Sequence, residues 1–302
     1  MPMMILETYL HACFHAARAG GLAIRDLPRD QAPEVRNAGG RANIAPEMLS
    51  QREILSVLRR LEPDANFVTN AKVDGGFMGR VLGAHNFELM ASGRTYMVDG
   101  LGGANMYNAG RIGLYDWTTS VGLVNSDLEH TRGAIFAPEI WGGTMFYASK
   151  GSGAFAISED KGEIPVGVSG TTNLRKARVV FDDASFREGH LVNSRAITEI
   201  AGKARTIKVS GPCSLGLGLA AIGSLDAVVQ SAQRPAVYAA GKTIIEEAGG
   251  VFLPYAMQKS GRLVPIGKLG LEHYNPEKKV VGFIAGNREL AESLMDILVD
   301  KN

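Results

Sequence analysis

From residue 5 to 23 apolar side chains recur every three to four positions, at Leu6, Leu10, Cys13, Phe14 and Ala17, which is the period of a helix with one buried face. The same period runs over residues 46–61, through Leu49, Ile54, Leu55, Val57 and Leu58, until Pro63 stops it. It returns at 191–201, at 211–221 where small residues suit close packing, and at 239–248, ending on Gly249-Gly250. A last helix is expected after Asn287, a helix-capping residue, with Leu290, Leu294, Ile297 and Leu298 inward. Short β-branched and aromatic runs predict strands at 66–69, 96–98, 117–125, 133–138, 143–148, 151–157, 178–181, 226–229, 251–253 and 280–285. Residues 26–46 are polar and hold Pro28, Pro33, Gly39, Gly40 and Pro46, so they predict a loop or mobile flap. Residues 72–93 are broken by glycines and carry Asp74, Arg80, His85 and Glu88.

Blocks of helix and antiparallel strand, without repeats or a long linker, predict an α+β layered fold. The reading is one unit over 1–302, with an N-terminal α+β half (1–160) and a C-terminal α/β half (161–302). Composition agrees: 45% hydrophobic residues in a chain of 302 can bury a large core. With Lys+Arg 32 against Asp+Glu 31, the chain shows no excess of basic residues to meet nucleic acid or an anionic membrane. Two cysteines, Cys13 and Cys213, give neither a disulfide framework nor a metal-ligand spacing. The N-terminus lacks a basic segment and its apolar run is broken by Glu7, so no signal peptide is expected, and no stretch reaches the roughly 18 apolar residues of a membrane span. The expected location is cytoplasmic.

The candidate chemistry centres on residues 94–108. Tyr96, Met97 and Val98 form a buried strand that delivers Asp99 at its end, before Gly100-Leu101-Gly102-Gly103 breaks it. Glycines there permit positive φ and close approach to a ligand, and a following turn would converge its N–H groups on an anion. His11 and His15 lie one helical turn apart, but no Glu intervenes and no third ligand is near, so they read as a surface pair. His85, His130, His190 and His273 stand in polar surroundings without a third partner, and Cys213 follows a Gly-Pro turn with no His near it in sequence.

Residues 99–105 resemble the signature Asp-Pro-(Ile/Leu)-Asp-Gly-Thr-Thr-Asn of the inositol monophosphatase family. Further matches follow in order: Gly133-Ala-Ile-Phe-Ala-Pro138, Phe146-Tyr-Ala and Gly151-Ser-Gly-Ala-Phe155, then Gly211 to Leu215, Ala220 to Asp226, Ala239-Ala240-Gly241 and Glu246 to Gly250. The resemblance implies an α-β-α-β-α layered sandwich, usually dimeric, and in the family Mg²⁺-dependent hydrolysis of phosphomonoesters. In the signature Asp99 keeps the first Asp and Leu101 the metal-binding carbonyl, whereas Gly102 replaces the second Asp and Ala104 the first Thr. The family's Gly-Glu-Glu falls on Thr69-Asn70-Ala71, its Thr-x-x-Asp near residues 45–48, and its Trp-Asp on Ala236-Val237 or Val237-Tyr238. Only Asp99 is read as surviving from the ligand set.

A hard cation needs several oxygen ligands and charge neutralisation, so the expectation is no metal and no cofactor. Three readings stay open. The first is a metal-independent enzyme of lyase, cyclase or isomerase type acting on a small anionic or polyol-like metabolite. Asp99, Asn70, Tyr238 and Lys242 are then its catalytic candidates, and Leu101, Gly102, Gly103, Ala104 and Asn105 its substrate-binding turn. The second is a non-catalytic pseudophosphatase that binds a ligand or partner. The third is a Mg²⁺-dependent phosphatase with Glu88, Asp74 or Asp116 as substitute ligands. Lys72 is a further polar candidate, and the expected assembly is a homodimer.

Overall fold

A computed structural model describes residues 8–27, 34–36, 42–70, 81–83, 86–107, 116–182, 194–258, 263–278 and 281–299. Helix α1 (Thr8–Arg25) is followed by β1 (Glu34–Arg36), β2 (Ala42–Ile44) and α2 (Ala45–Leu61). A seven-stranded sheet comes next: β3 (Asn66–Thr69), β4 (Thr95–Gly102), β5 (Thr118–Val124), β6 (His130–Ala137), β7 (Thr144–Ser149), β8 (Ala154–Ser158) and β9 (Gly162–Val166), side by side in that order. A four-residue helix, α3 (Ala104–Tyr107), leaves the end of β4. Only the β3–β4 pair is parallel among these neighbours.

The second half alternates β10 (Arg178–Asp182), α4 (Ser194–Lys203), β11 (Thr206–Ser210), α5 (Cys213–Ala221), β12 (Ala227–Gln233), α6 (Pro235–Glu247), β13 (Val251–Met257), β14 (Leu263–Pro265), β15 (Val281–Gly286) and α7 (Arg288–Leu298). Its six strands lie in the order β11-β10-β12-β15-β13-β14. β10 pairs parallel with both neighbours, whereas β15 is antiparallel to β12 and β13.

Burial sorts these elements into five layers. Leu10, Cys13 and Ala17 of α1 and Ile54, Leu55 and Leu58 of α2 cover one face of the first sheet, meeting Tyr96, Val98, Val121 and Phe136. The other face meets α5 and α6, through Leu215, Leu217, Tyr238 and Ile244, with Val228 and Phe283 of the second sheet beyond them. On the far side α4 and α7 cover the second sheet with Ala196, Ile200, Leu290 and Leu294. The expected α-β-α-β-α sandwich is therefore the observed fold. α6 lies between two sheets and is buried nearly all round, as such a helix must be. It sits flush on the first sheet because β5 and β6 are bare there. A Cβ on Gly122 would fall 2.7 Å from the Ala240 nitrogen, and one on Gly133 2.3 Å from the Ala240 oxygen.

Most expected elements form within a few residues, including the cap of α7, where Asn287 accepts from the amides of Glu289 and Leu290. The flap differs. Within residues 26–46, β1 and β2 pair antiparallel with Glu34 opposite Ile44. Three strands escape the hydrophobic pattern, β9, β11 and β14, and each is an edge of its sheet. An edge strand has one neighbour and a wet side, so its side chains need not be apolar; β9 is exposed and contains Pro165. α6 begins four residues earlier than expected, at Pro235, whose fixed φ and missing N–H suit a first helical turn.

Candidate functional site

β4 carries Asp99 into the interior, where it is 1% exposed. The ladder with β5 slips just afterwards: Asp99 faces Ser120 but Gly102 faces Thr118, so Gly100 and Leu101 oppose Thr119 alone. Such a bulge re-aims the strand end. Gly103 then adopts φ +83°, and its oxygen accepts from the amides of Met106 and Tyr107 at 2.8 and 2.9 Å, which closes the turn into α3. A Cβ on Gly103 would fall 2.4 Å from the Asp116 carbonyl oxygen, so glycine is required on both counts.

Around the bare face of Gly102 three oxygens converge. A Cβ there would lie 3.0 Å from Ser214 Oγ, 3.0 Å from Thr118 Oγ1 and 3.2 Å from Asp99 Oδ2. The two hydroxyls are themselves 2.5 Å apart, a short bond between β5 and the first turn of α5. On the other side Asn70, just past β3, donates from Nδ2 to Asp99 Oδ1 at 3.0 Å. Its own amide is fixed by the Val98 oxygen at 2.9 Å. Arg234 completes the row, with Nη1 donating to the Asn70 carbonyl at 3.3 Å and to Asn70 Oδ1 at 3.4 Å. Arg234 precedes Pro235, and its extended backbone (φ −78°, ψ 152°) holds it off the helix it caps. Cation, amide and carboxylate thus stand in line, with the Asn70 side chain oriented at both ends.

α2 closes the site from above. Glu47 in its first turn and Gln51 one turn later are both buried. They press on Gly100, where a Cβ would meet the Gln51 Cβ at 2.9 Å and the Glu47 carbonyl oxygen at 3.0 Å. The sequence reading counted no surviving carboxylate at residues 45–48, yet Glu47 lies in that stretch, and the structure buries it beside the strand that bears Asp99. An acidic residue in a first helical turn opposes the macrodipole's positive end favourably, and that was the available signal.

Several sequence candidates lie elsewhere. Tyr238 is fully buried between the rings of Phe252, Phe283 and His130, and burial pushes its phenol well above the ordinary value. Lys242 is eight residues beyond Arg234, about 12 Å along the helix. It binds both carboxylate oxygens of Glu246 at 2.6 Å and stands 5.7 Å over the Phe252 ring. There it lines a cavity of about 350 Å³ with Lys150, His130 and Tyr274. His130 bonds the Ala239 oxygen and the Tyr274 hydroxyl, and burial, helped by the charge of Lys242, lowers its pKa to about 3, so it is neutral. Tyr238 and Lys242 therefore do not join Asp99.

Asp116 accepts from Ser210 Oγ at 3.0 Å and pairs with Lys208 at 3.4 Å. Glu88 is exposed on the short 3₁₀ turn before β4, at the opposite end of that strand from Asp99. The strand expected to break at Gly100 continues past its bulge, so Leu101 and Gly102 are the last residues of β4, Gly103 is the turn, and Ala104 and Asn105 open α3. Lys72, Asp74, His85 and His190 lie outside the described residues. Sequence reasoning missed Arg234, which reaches Asn70, and Ser214 and Thr118, which meet beside Gly102; only the fold brings them there.

With this site at the end of β4, between a helical layer and a shared central helix, the scaffold is that of a sugar-phosphatase-like sandwich. The chain belongs to the inositol monophosphatase family, whose sequence model matches residues 7–300. Among solved structures it is similar to the inositol monophosphatase from Anabaena (Nostoc), with 19% identity and a TM-score of 0.69 over 97% of this chain and 96% of that one. It is similar to extragenic suppressor protein SuhB from Bartonella henselae, with 18% identity and a TM-score of 0.71 over 98% of each chain. The Thermotoga maritima IMPase gives 20% identity and a TM-score of 0.70 over 94% of each chain. At such identities the likeness concerns the fold. No curated protein sequence matches.

Proposed function

We propose that this member of the family works without Mg²⁺, as an acid–base enzyme on a small anionic or polyol-like metabolite. The observation that carries the reading is the Asn70–Asp99 hydrogen bond with Arg234 behind it. A carboxylate at position 70 would need a cation between itself and Asp99, because two such charges side by side repel. An amide needs none: its N–H donates straight to Asp99, and its oxygen takes the guanidinium. Arg234 then supplies a fixed positive charge where an oxygen cage would want only negative donors.

The Mg²⁺ that the family implies fits these residues poorly. Octahedral magnesium takes oxygen ligands with carboxylates among them, and among the described residues no three His, Cys, Asp or Glu side chains gather to hold a metal. The roles follow from chemistry. Arg234 and the amides of the turn from Leu101 through Gly102, Gly103 and Ala104 to Asn105 hold the anionic group. Asn70 orients Asp99, and Asp99 takes a proton from the metabolite as general base. The Thr118–Ser214 hydroxyl pair bonds the remaining substrate oxygens.

A second reading, a Mg²⁺-dependent phosphomonoesterase with rearranged ligands, draws on one observation: Glu47 is buried against Gly100, next to the Asp99 strand. Calorimetric titration of chelator-treated protein separates the two. Phosphate that binds without Mg²⁺, and is lost in Arg234→Ala, supports the first reading; turnover in chelator of a phosphorylated or carboxylated polyol, abolished by Asp99→Asn, completes it. Sub-millimolar Mg²⁺ binding tightened by phosphate overturns it in favour of the second. Binding with no turnover of any such compound leaves a pseudophosphatase.

A further inference from the structure

We propose that the groove between α1 and α2 is a second ligand site, which holds the phosphate group of a small phosphomonoester with an apolar skeleton. The groove is a cavity of about 350 Å³ in which His11, His15, Arg18 and Arg60 surround a floor of Leu22, Val57 and Leu61. Among the described residues no carboxylate lines it. Among the described residues neither Arg18 nor Arg60 stands within ion-pair distance of an acid. Arg18 and Arg60 bring fixed positive charge to the rim of an apolar floor, and the two imidazoles add donors beside them. An anion satisfies both.

The geometry is specific to a compact anion. His11 and His15 are one turn apart with ring centroids 4.0 Å from each other, and Arg18 follows three residues later on the same face. Arg60 approaches from α2 and presents a planar fork suited to two phosphate oxygens. The floor receives carbon, so an ester fits better than a bare ion. The site is distinct from Asp99: these side chains lie on the outer face of α1, whose inner side receives the Thr119 hydroxyl at the Ala17 oxygen.

Protonation is coupled to occupancy. Burial first, then the charges of His11 and Arg18, hold the His15 pKa below its ordinary value. The groups facing it are Phe14, His11 and Arg18 from its own helix and Arg60 from α2; Glu53 lies a turn before Val57, outside the lining. A bound dianion opposes the cationic neighbours and favours the imidazolium.

The test is an NMR pH titration of the histidine rings in the full chain, with and without phenyl phosphate. The expected result is a His15 midpoint raised by roughly one pH unit on binding. That shift is lost when Arg18→Gln and Arg60→Gln are combined, both exposed positions whose replacement leaves the fold intact. It persists in Arg234→Ala, which separates this groove from the Asp99 site. A midpoint indifferent to phenyl phosphate, or a shift that survives loss of both arginines, overturns the proposal.

Discussion

Asp226, between α5 and β12, is the clearest place to test the electrostatics of this fold. Its side chain is fully buried, while Arg178 beside it is 42% exposed. Burial alone would raise its pKa. The hydrogen bonds of Arg178, Ser169 and Thr171 outweigh that and bring it down to about 2, from an ordinary value of 3.8. Arg178 contributes three of those bonds: its backbone N–H at 2.6 Å and Nε at 3.0 Å to Oδ2, and Nη2 at 3.1 Å to Oδ1. At 1.36 kcal/mol per pKa unit, the ionised form contributes about 2 kcal/mol to stability. Because the folded value is depressed, that contribution is complete above about pH 4 and is lost as pH falls toward 2. Asp226→Asn removes it and turns an NH₂ toward donors, so it should lower the melting temperature at pH 7 by roughly 3 to 5 °C in a chain of this size. Scanning calorimetry of both proteins from pH 7 to pH 3 gives the answer. The gap should be constant at first and narrow below pH 4. An equal melting temperature at pH 7, or a gap that widens on acidification, refutes the assignment.

Gly133→Ala places a methyl 2.3 Å from the Ala240 oxygen, against backbone that cannot swing away; urea denaturation should show a loss of about 3 kcal/mol or failure to fold. Tyr238→Phe deletes a buried hydroxyl with no hydrogen-bond partner among the described residues, so the same denaturation assay should show unchanged or slightly higher stability, within about 1 kcal/mol. Ligand binding at Asp99 should be untouched by that change; a large loss would return Tyr238 to the site. Light scattering should find a dimer, as the family resemblance implies, and a monomer at micromolar concentration would refute that expectation.

What the sequence made legible follows the reach of its signals. α1 and α7 carry strong three-to-four periodicity, and Asn287 marks a start that needs only its next three residues. Asp99 could be placed because an apolar run followed by glycines is a local pattern. Arg234 could not: it meets Asn70 from 164 positions away, and an arginine before a proline resembles any helix start. Ser214 reaches Thr118 across 96 positions. Tyr238 and Lys242 are candidates by their nearness along the chain to the position where the resemblance sets a family aspartate. The helix decides otherwise, turning one into the core and carrying the other about two turns along α6, to the cavity beside Glu246. Glu47 was within the window considered, but only the packing of α2 on Gly100 reveals its burial.

The flush seating of α6 on Gly122 and Gly133 has a bearing on how such a protein can change its trade. The position of Arg234 is supported by backbone meeting backbone at Ala239 and Ala240, less than two turns along α6, in contacts that involve no polar atom of the site. The cleft's shape is therefore underwritten by apolar layers, and its lining can be exchanged side chain by side chain without the walls moving. Exchanging a side chain there alters chemistry but no architecture, so one socket can carry more than one charge pattern.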